Sequence, residues 1–334
     1  MRRAGTRQSE RGAALLTVLM IVAAMSVAAL AVTQAITNAT QRARALDAQA
    51  QLGFYEVSAE EVAKSRLTEL LQSTQSRVSA DLPGFGEPQI VPVDGGSFNV
   101  IVRDASNCFN VNALVNRGEE GRYVSNPEAQ TAYLSILTAA LEDGFDADPA
   151  SLVSSLTDWM DDNSVPGSGG AEDSYYLSEV PSYRTSSQTL INLDELRAIR
   201  GYTRDVTRAI KPLLCALPPN ENTGSITLNV NTLEERHAPL LRLAFGDALE
   251  LREARELISL RPLGGWDSVD TMLQDPILQR IDPAKVQVDR LGVVTSLVEV
   301  SANVSYRGYD MTMRYLFHAE SGRPLRTLRR ERVG

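Results

Sequence analysis

Between Ala13 and Thr40 the chain carries no charged residue, and Arg11-Gly12 stands directly before that stretch. A bilayer's hydrocarbon core, about 30 Å thick, takes roughly 20 apolar residues to cross as a helix. Residues 13–36 supply that length, well beyond the about 7–15 apolar residues of a secretory signal. Arg2, Arg3, Arg7 and Arg11 precede the span, which keeps the N-terminus cytoplasmic and sends the remainder across the membrane. Hydropathy leaves two readings open: an uncleaved single-span anchor, or a leader that is processed.

The rest of the chain is polar, and its charge limits what it binds. With a formal net charge of -9, a pI of about 5.0 and two histidines, His237 and His318, it lacks the concentrated Lys/Arg field that a nucleic-acid backbone requires. The same balance suits cations. Cys108 and Cys215 are the two cysteines. In an oxidising compartment such a pair is expected to form a disulfide. Two buried thiols or part of a metal site are the alternatives, although neither cysteine has a CxxC spacing or a histidine partner.

Helix-compatible sequence runs from Ala13 to about Gln72, interrupted by Gly53 alone. One helix of that length measures roughly 90 Å; a membrane helix, a hinge near Asn38 and a second helix is the alternative. In the polar half, Ala43, Leu46, Ala50, Phe54, Val57 and Leu67 recur at near-helical spacing and are expected to face the body. Residues 89–93 and 97–102 read as a hairpin around Asp94-Gly95-Gly96. From Asn112 to Asp282 the apolar spacing turns helical. Strand patterns return at 286–294, 297–306 and 311–318, and the arginine-rich tail beyond is expected to be flexible. Strands on both sides of a helical block imply one sheet split by an insertion. The divisions are a leader 1–12, a membrane span 13–36, a periplasmic helix and first strands 37–111, a helical insertion 112–285, closing strands 286–320 and a basic tail 321–334.

Candidate chemistry concentrates in residues 157–176, where Asp158, Asp161, Asp162, Asn163, Glu172 and Asp173 surround a glycine-rich loop. Crowded carboxylates favour a neutralising cation, and six to eight oxygens on a flexible loop is the preference of Ca²⁺. The spacing is not that of an EF-hand, and a solvated acidic loop with a helix-capping aspartate is the alternative. No nucleophile–base pair or phosphate loop is identifiable, so the chain is expected not to be an enzyme. Leu193 to Gly201, Asn229 to Leu233 and Arg261 to Val269 look like degenerate helix-hairpin-helix units. With few lysines and no Gly-x-Gly hairpin, they read as packing units.

Taken together, several stretches resemble those of one family, the K-type minor pseudopilins of the type II secretion system. They are Arg11-Gly12-Ala13-Ala14-Leu15-Leu16, Cys108-Phe109-Asn110-Val111-Asn112, Asp158-Trp159-Met160-Asp161, Gly170-Ala171-Glu172-Asp173-Ser174-Tyr175-Tyr176, Leu193 to Gly201, Pro212 to Pro218 and Asn229-Val230-Asn231-Thr232-Leu233. The resemblance implies an α+β fold, with a pilin-like long N-terminal helix packed on a small antiparallel sheet and a large all-α domain inserted between sheet strands. It implies prepilin peptidase cleavage between Gly12 and Ala13, N-methylation of Ala13, and a Ca²⁺ site near the acidic loop. It further implies a place at the tip of a pseudopilus with I-type and J-type minor pseudopilins and other pseudopilins, built on an inner-membrane assembly platform, with the body periplasmic. Thr17 stands at the fifth mature position, where most pilin-like subunits carry Glu. A membrane carboxylate costs about 2.5–3.5 kcal/mol unless it is paired. A subunit without one needs no neighbour's amine above it, as befits a first-placed subunit.

Overall fold

The computed structural model describes residues 7–74, 77–142, 144–218, 227–320 and 323–333; the first half of the expected leader, residues 1–6, lies outside them, as do residues 321–322 and Gly334 of the expected tail. Helix α1, Arg7–Thr74, is a single 68-residue helix with no break at Asn38 or Gly53. Its membrane-length segment is exposed on every side. Within it, Thr17 donates its hydroxyl proton to the Ala14 carbonyl, and Ser26, Thr33, Thr37 and Thr40 donate to the carbonyl four residues back. No hydroxyl there needs a partner from outside the helix, which suits an apolar surrounding.

The polar half of α1 buries Leu67 as expected but otherwise packs by other residues than those expected. Ala48, Leu52, Ala59, Ala63 and Leu67 are buried, whereas Leu46, Phe54 and Val57 are 66%, 69% and 58% exposed. Three alanines on the buried face let the helix lie close to a sheet side crowded with Phe98, Tyr306, Tyr315 and Phe317. The bulkier residues are left facing outward.

The sheet consists of β1 (Gln89–Val93), β2 (Gly96–Asp104), β3 (Leu297–Tyr306), β4 (Tyr309–His318) and β5 (Arg326–Val333). The strands lie in that order and all neighbours are antiparallel. Period-2 alternation sends Val298, Val300, Ala302 and Val304 into the core against α1. The basic tail, expected to be flexible, instead forms β5. Its Thr327 and Arg330 side chains hydrogen-bond to Glu60 of α1, a carboxylate only 4% exposed. Residues 286–294 are not a full strand either: two 3₁₀ turns lead into a two-residue strand, Leu291–Gly292.

The insertion occupies the connection between β2 and β3, residues 105–296, wider than the expected 112–285. It contains two helical units, and one backbone device recurs in both. In the first, Asn110 accepts from the Asn112 amide, while Asn112 donates to the Leu190 carbonyl and accepts from the Leu190 amide. In the second, Asn229 accepts from the Asn231 amide, and Asn231 grips the Trp266 amide and carbonyl in the same way. Each Asn-Val-Asn begins at the last residue of a two-residue strand, Phe109–Asn110 or Leu228–Asn229, whose parallel partner is Leu214–Cys215 or Leu291–Gly292. A Cβ on Gly265, whose φ is +76°, would fall 2.4 Å from the Asn231 side chain. A disulfide joins Cys108 to Cys215.

Asp104, at the end of β2, fixes the insertion to the sheet. Its carboxylate accepts from the Ser106 amide (2.7 Å) and the Thr295 hydroxyl (2.7 Å) at the strands' exit and return. It also accepts from Asn229 (2.8 Å) and Thr232 (2.7 Å) of the second unit. The segment after α1 is sewn to that same unit through Val78 to Val293 and Ala80 to Asn231. The Gly264 amide donates to Asp81, so the glycine turn of the hairpin-like unit faces the chain's own carboxylate.

Candidate cation site and outward helix face

Helix α2 (Pro127–Ala140) and helix α3 (Pro149–Met160) pack in the first unit's core. Asp148 caps α3 by accepting from the amides of Ala150 and Ser151, which favours helix entry at that point. The exit of α3 delivers Asp158, Trp159 and Asp161, and short helix α4 (Asp173–Tyr176) begins with Glu172 as its N-cap. Arg200 holds the loop between them by donating to the Gly170 carbonyl and stacking over Tyr175 at 4.8 Å.

Of the six expected ligands, the structure buries three acidic residues near one another and commits the other three to hydrogen bonds elsewhere. Asp158, Asp161 and Glu172 are 4%, 3% and 4% exposed. Asp158 accepts twice from the Gly167 amide, at 3.1 Å. Gly170 has to be glycine for this: a Cβ there would stand 2.0 Å from an Asp158 oxygen. Asp161 accepts from the Asn163 amide. The Glu172 Oε1 is buried without a hydrogen-bond partner. Burial pushes all three carboxyls upward. For Asp161 burial and then repulsion from Asp158 and Asp162 raise it to about 6; for Glu172 burial and then Asp158 and Asp161 raise it to about 7. For Asp158 burial outweighs the lowering by backbone amides.

The remaining three residues have other work. Asp162 turns to the neighbouring hairpin, accepting from the Tyr123 amide at 2.5 Å. Asn163 is exposed and accepts from the Val165 amide. Asp173 accepts from the Thr185 amide and hydroxyl and from Arg184; the Thr185 amide first, then its hydroxyl and Arg184, hold its carboxyl low.

A like-charged group of buried carboxylates with an unmet oxygen fits the donor chemistry of a hard cation such as Ca²⁺. Among the described residues, no three His, Cys, Asp or Glu side chains already stand in a metal-holding arrangement. Trp159, missed by sequence reasoning as a site residue, has a buried Nε1 without a partner and packs edge-on against Tyr176 at 5.1 Å. Its place between two of the aspartates in sequence was the available signal.

A helix long and apolar enough to cross a membrane runs unbroken onto an antiparallel sheet, and this defines a pilin-like subunit, here enlarged by an insertion between β2 and β3. Two family profiles described as "Type II secretion system (T2SS), protein K" match residues 107–219 and 228–293. The type II secretion system protein K of Pectobacterium carotovorum subsp. carotovorum is 31% identical over 332 residues, covering 98% of both chains. That of Klebsiella pneumoniae is 31% identical over 278 residues, 82% of each. A chain in the crystal structure of the GspK-GspI-GspJ complex from the enterotoxigenic Escherichia coli type 2 secretion system superimposes with a TM-score of 0.71 at 26% identity, covering 88% of this chain and 99% of that one. The chain belongs to the type II secretion system protein K family. The two profiles coincide with the two helical units, each containing one Asn-Val-Asn device.

Proposed function

We propose that this chain is a non-enzymatic minor pseudopilin that sits at the tip of a periplasmic pseudopilus and helps to initiate its assembly for protein export. In this reading α1 spans the inner membrane once with its N-terminus cytoplasmic. Prepilin peptidase cuts between Gly12 and Ala13, and Ala13 is N-methylated. The subunit then joins I-type and J-type minor pseudopilins and other pseudopilins on the inner-membrane platform. The observation that carries the proposal is the outward face of α1: the chain's own body covers neither the apolar span nor Leu46, Phe54 and Val57. Uncovered apolar faces of this kind mark partner contacts. The insertion supports an end position, because a body widened by residues 105–296 fits poorly inside a shaft of repeated subunits. Thr17 supports it as well, its hydroxyl being satisfied within its own helix.

The test is co-expression with the I-type and J-type partners, followed by mass spectrometry of the purified complex. The expected result is a ternary complex in which this chain begins at Ala13. Recovery of the chain alone, with Met1 intact, would point to a plain membrane anchor and overturn the proposal.

The same proposal includes Ca²⁺ held by Asp158, Asp161 and Glu172, with loop carbonyls completing the shell. Bound, the ion would neutralise the crowded carboxylates and stiffen the loop. Trp159 makes the site visible. Titrating Ca²⁺ into a Trp266→Phe variant should change its tryptophan emission saturably, with EDTA reversing the change; a flat titration refutes the cation assignment.

A further inference from the structure

A cavity of about 490 Å³ lies between the outer face of the sheet and the two helical units, within the usual size range of ligand pockets, about 300–1,000 Å³. Two of its lining residues hold buried polar atoms with no hydrogen-bond partner: Asn107, 6% exposed, through Oδ1, and Arg314 through Nε. The Arg314 Nε has Glu299 only at 3.7 Å, beyond hydrogen-bond reach.

The charged groups around the cavity are unevenly committed. Asp104 is saturated by four donors, Asp194 is paired with Lys211 at 2.6 Å, Glu234 with Arg236 at 2.7 Å, and Glu331 accepts from Asn192 and stands 3.8 Å from the Arg314 Nη1. Among the described residues, Arg103 and Arg329 line the cavity without an ion-pair partner. The cavity thus holds donors short of acceptors in Arg314, Arg103 and Arg329, and acceptors short of a donor in Asn107 Oδ1 and the Glu299 carboxylate.

We propose that this cavity is a binding site for a carboxylate-bearing polypeptide segment. Its acidic side chains or terminal carboxylate meet Arg314 and Arg329, and a peptide N–H reaches Asn107. A free dication brings no acceptor for Arg314, and a basic peptide adds positive charge beside Arg103, Arg314 and Arg329. A peptide offers N–H and carboxylate together, which an inorganic anion does not. Desolvated donors gain more from an ionised acceptor than from a neutral one, and the exposed rim makes binding dependent on salt.

The test uses the full chain in neutral detergent with EDTA present, so that the acidic loop's cation plays no part. Fluorescein-labelled hexaglutamate is titrated by anisotropy at low and high salt, with hexalysine and sulfate as competitors. Expected is saturable binding of hexaglutamate that weakens with salt and resists both competitors. Arg329→Gln, at a half-buried position, should weaken it at least fivefold with unchanged melting. Arg314→Gln should weaken it more than tenfold, and Asn107→Asp, which adds a negative charge at the base, should abolish it. No binding up to millimolar peptide overturns the proposal. So does equal binding by Arg329→Gln, or effective competition by hexalysine. Sulfate competing as well as unlabelled peptide would likewise overturn the peptide assignment, leaving a simple anion site.

Discussion

Replacing Glu172 by Gln separates the effect of the crowded carboxylates from the effect of a bound cation. Burial and then the charges of Asp158 and Asp161 raise the Glu172 carboxyl from an ordinary 4.5 to about 7. A carboxyl raised on folding binds more protons in the native state. Its stabilising effect is therefore complete below the unfolded value and is lost as pH rises from about 4.5 to about 7. One pKa unit corresponds to about 1.4 kcal/mol, so at pH 8 without cation the ionised group costs the fold about 3 kcal/mol. Because Glu172, Asp158 and Asp161 titrate as a coupled set, this figure belongs to removing one charge from the set and cannot be tripled. The Gln amide keeps the shape, gives up the charge and needs its own partners, which leaves a gain of about 1–3 kcal/mol. At this chain size that raises the melting temperature by roughly 3–8 °C. On the proposed cation site the ranking should reverse with calcium: at a hundredfold excess over Kd it would stabilise the parent by about 2.7 kcal/mol, and a variant lacking one ligand far less. The assay is thermal unfolding of the full chain in detergent, followed by tryptophan emission, at pH 5 and pH 8, with EDTA or with Ca²⁺. Glu172→Gln should melt above the parent in EDTA at pH 8, below it in Ca²⁺ at pH 8, and close to it in EDTA at pH 5. A variant that melts below the parent in EDTA at pH 8, and gains as much from Ca²⁺, would refute both the crowding argument and the assignment of Glu172 as a ligand.

Reducing the Cys108–Cys215 bridge, or replacing both residues with Ser, frees a loop of 107 residues; the chain-entropy model gives a loss of about 4–5 kcal/mol, read as a lower denaturant midpoint confined to the transition of the first helical unit. Arg330→Met removes a partner of the buried Glu60 carboxylate, which is pushed up by burial but held lower on balance by hydrogen bonds from Lys64, Thr327 and Arg330. The expected cost is about 1–3 kcal/mol at pH 7, shrinking as pH falls below the ordinary carboxylate range, because a depressed carboxyl stabilises only while it is ionised; denaturant melts at pH 7 and pH 3.5 check both sign and size. Gly265→Ala forces a side chain into a left-handed backbone position and against Asn231, at about 1–3 kcal/mol for the backbone alone. Amide exchange in residues 228–293 should speed up while exchange in the sheet stays unchanged.

How much of this was legible in the sequence followed from how local each signal was. The uncharged span, the hairpin at Asp94-Gly95-Gly96 and the alternation from Val298 to Tyr306 are written in neighbouring residues, and the structure has them where they were read. The face of α1 was misread, Leu67 apart, because near-helical spacing shows that a stripe exists without saying which stripe meets the sheet. Against a sheet lined with Tyr315 and Phe317, close approach favours Ala48, Ala59 and Ala63, and the larger Leu46, Phe54 and Val57 are left for whatever covers the helix from outside. Strand β5 was missed because its arginines looked like solvated charge. Their ordering depends on Glu60, more than 260 residues away in sequence, and on an open edge of β4, neither of which a local window contains. The acidic loop divides by the same rule. Asp162 and Asp173 were indistinguishable from Asp158 and Asp161 by composition, and only the backbone donors of Tyr123 and Thr185 take them out of the cluster. In each case composition supplied the chemical type of the group, while a distant partner decided whether its charge was neutralised or left unmet. The unmet groups are the ones from which function can be argued: the carboxylates of Asp158, Asp161 and Glu172, the buried polar atoms of Asn107 and Arg314, and the outward apolar face of α1.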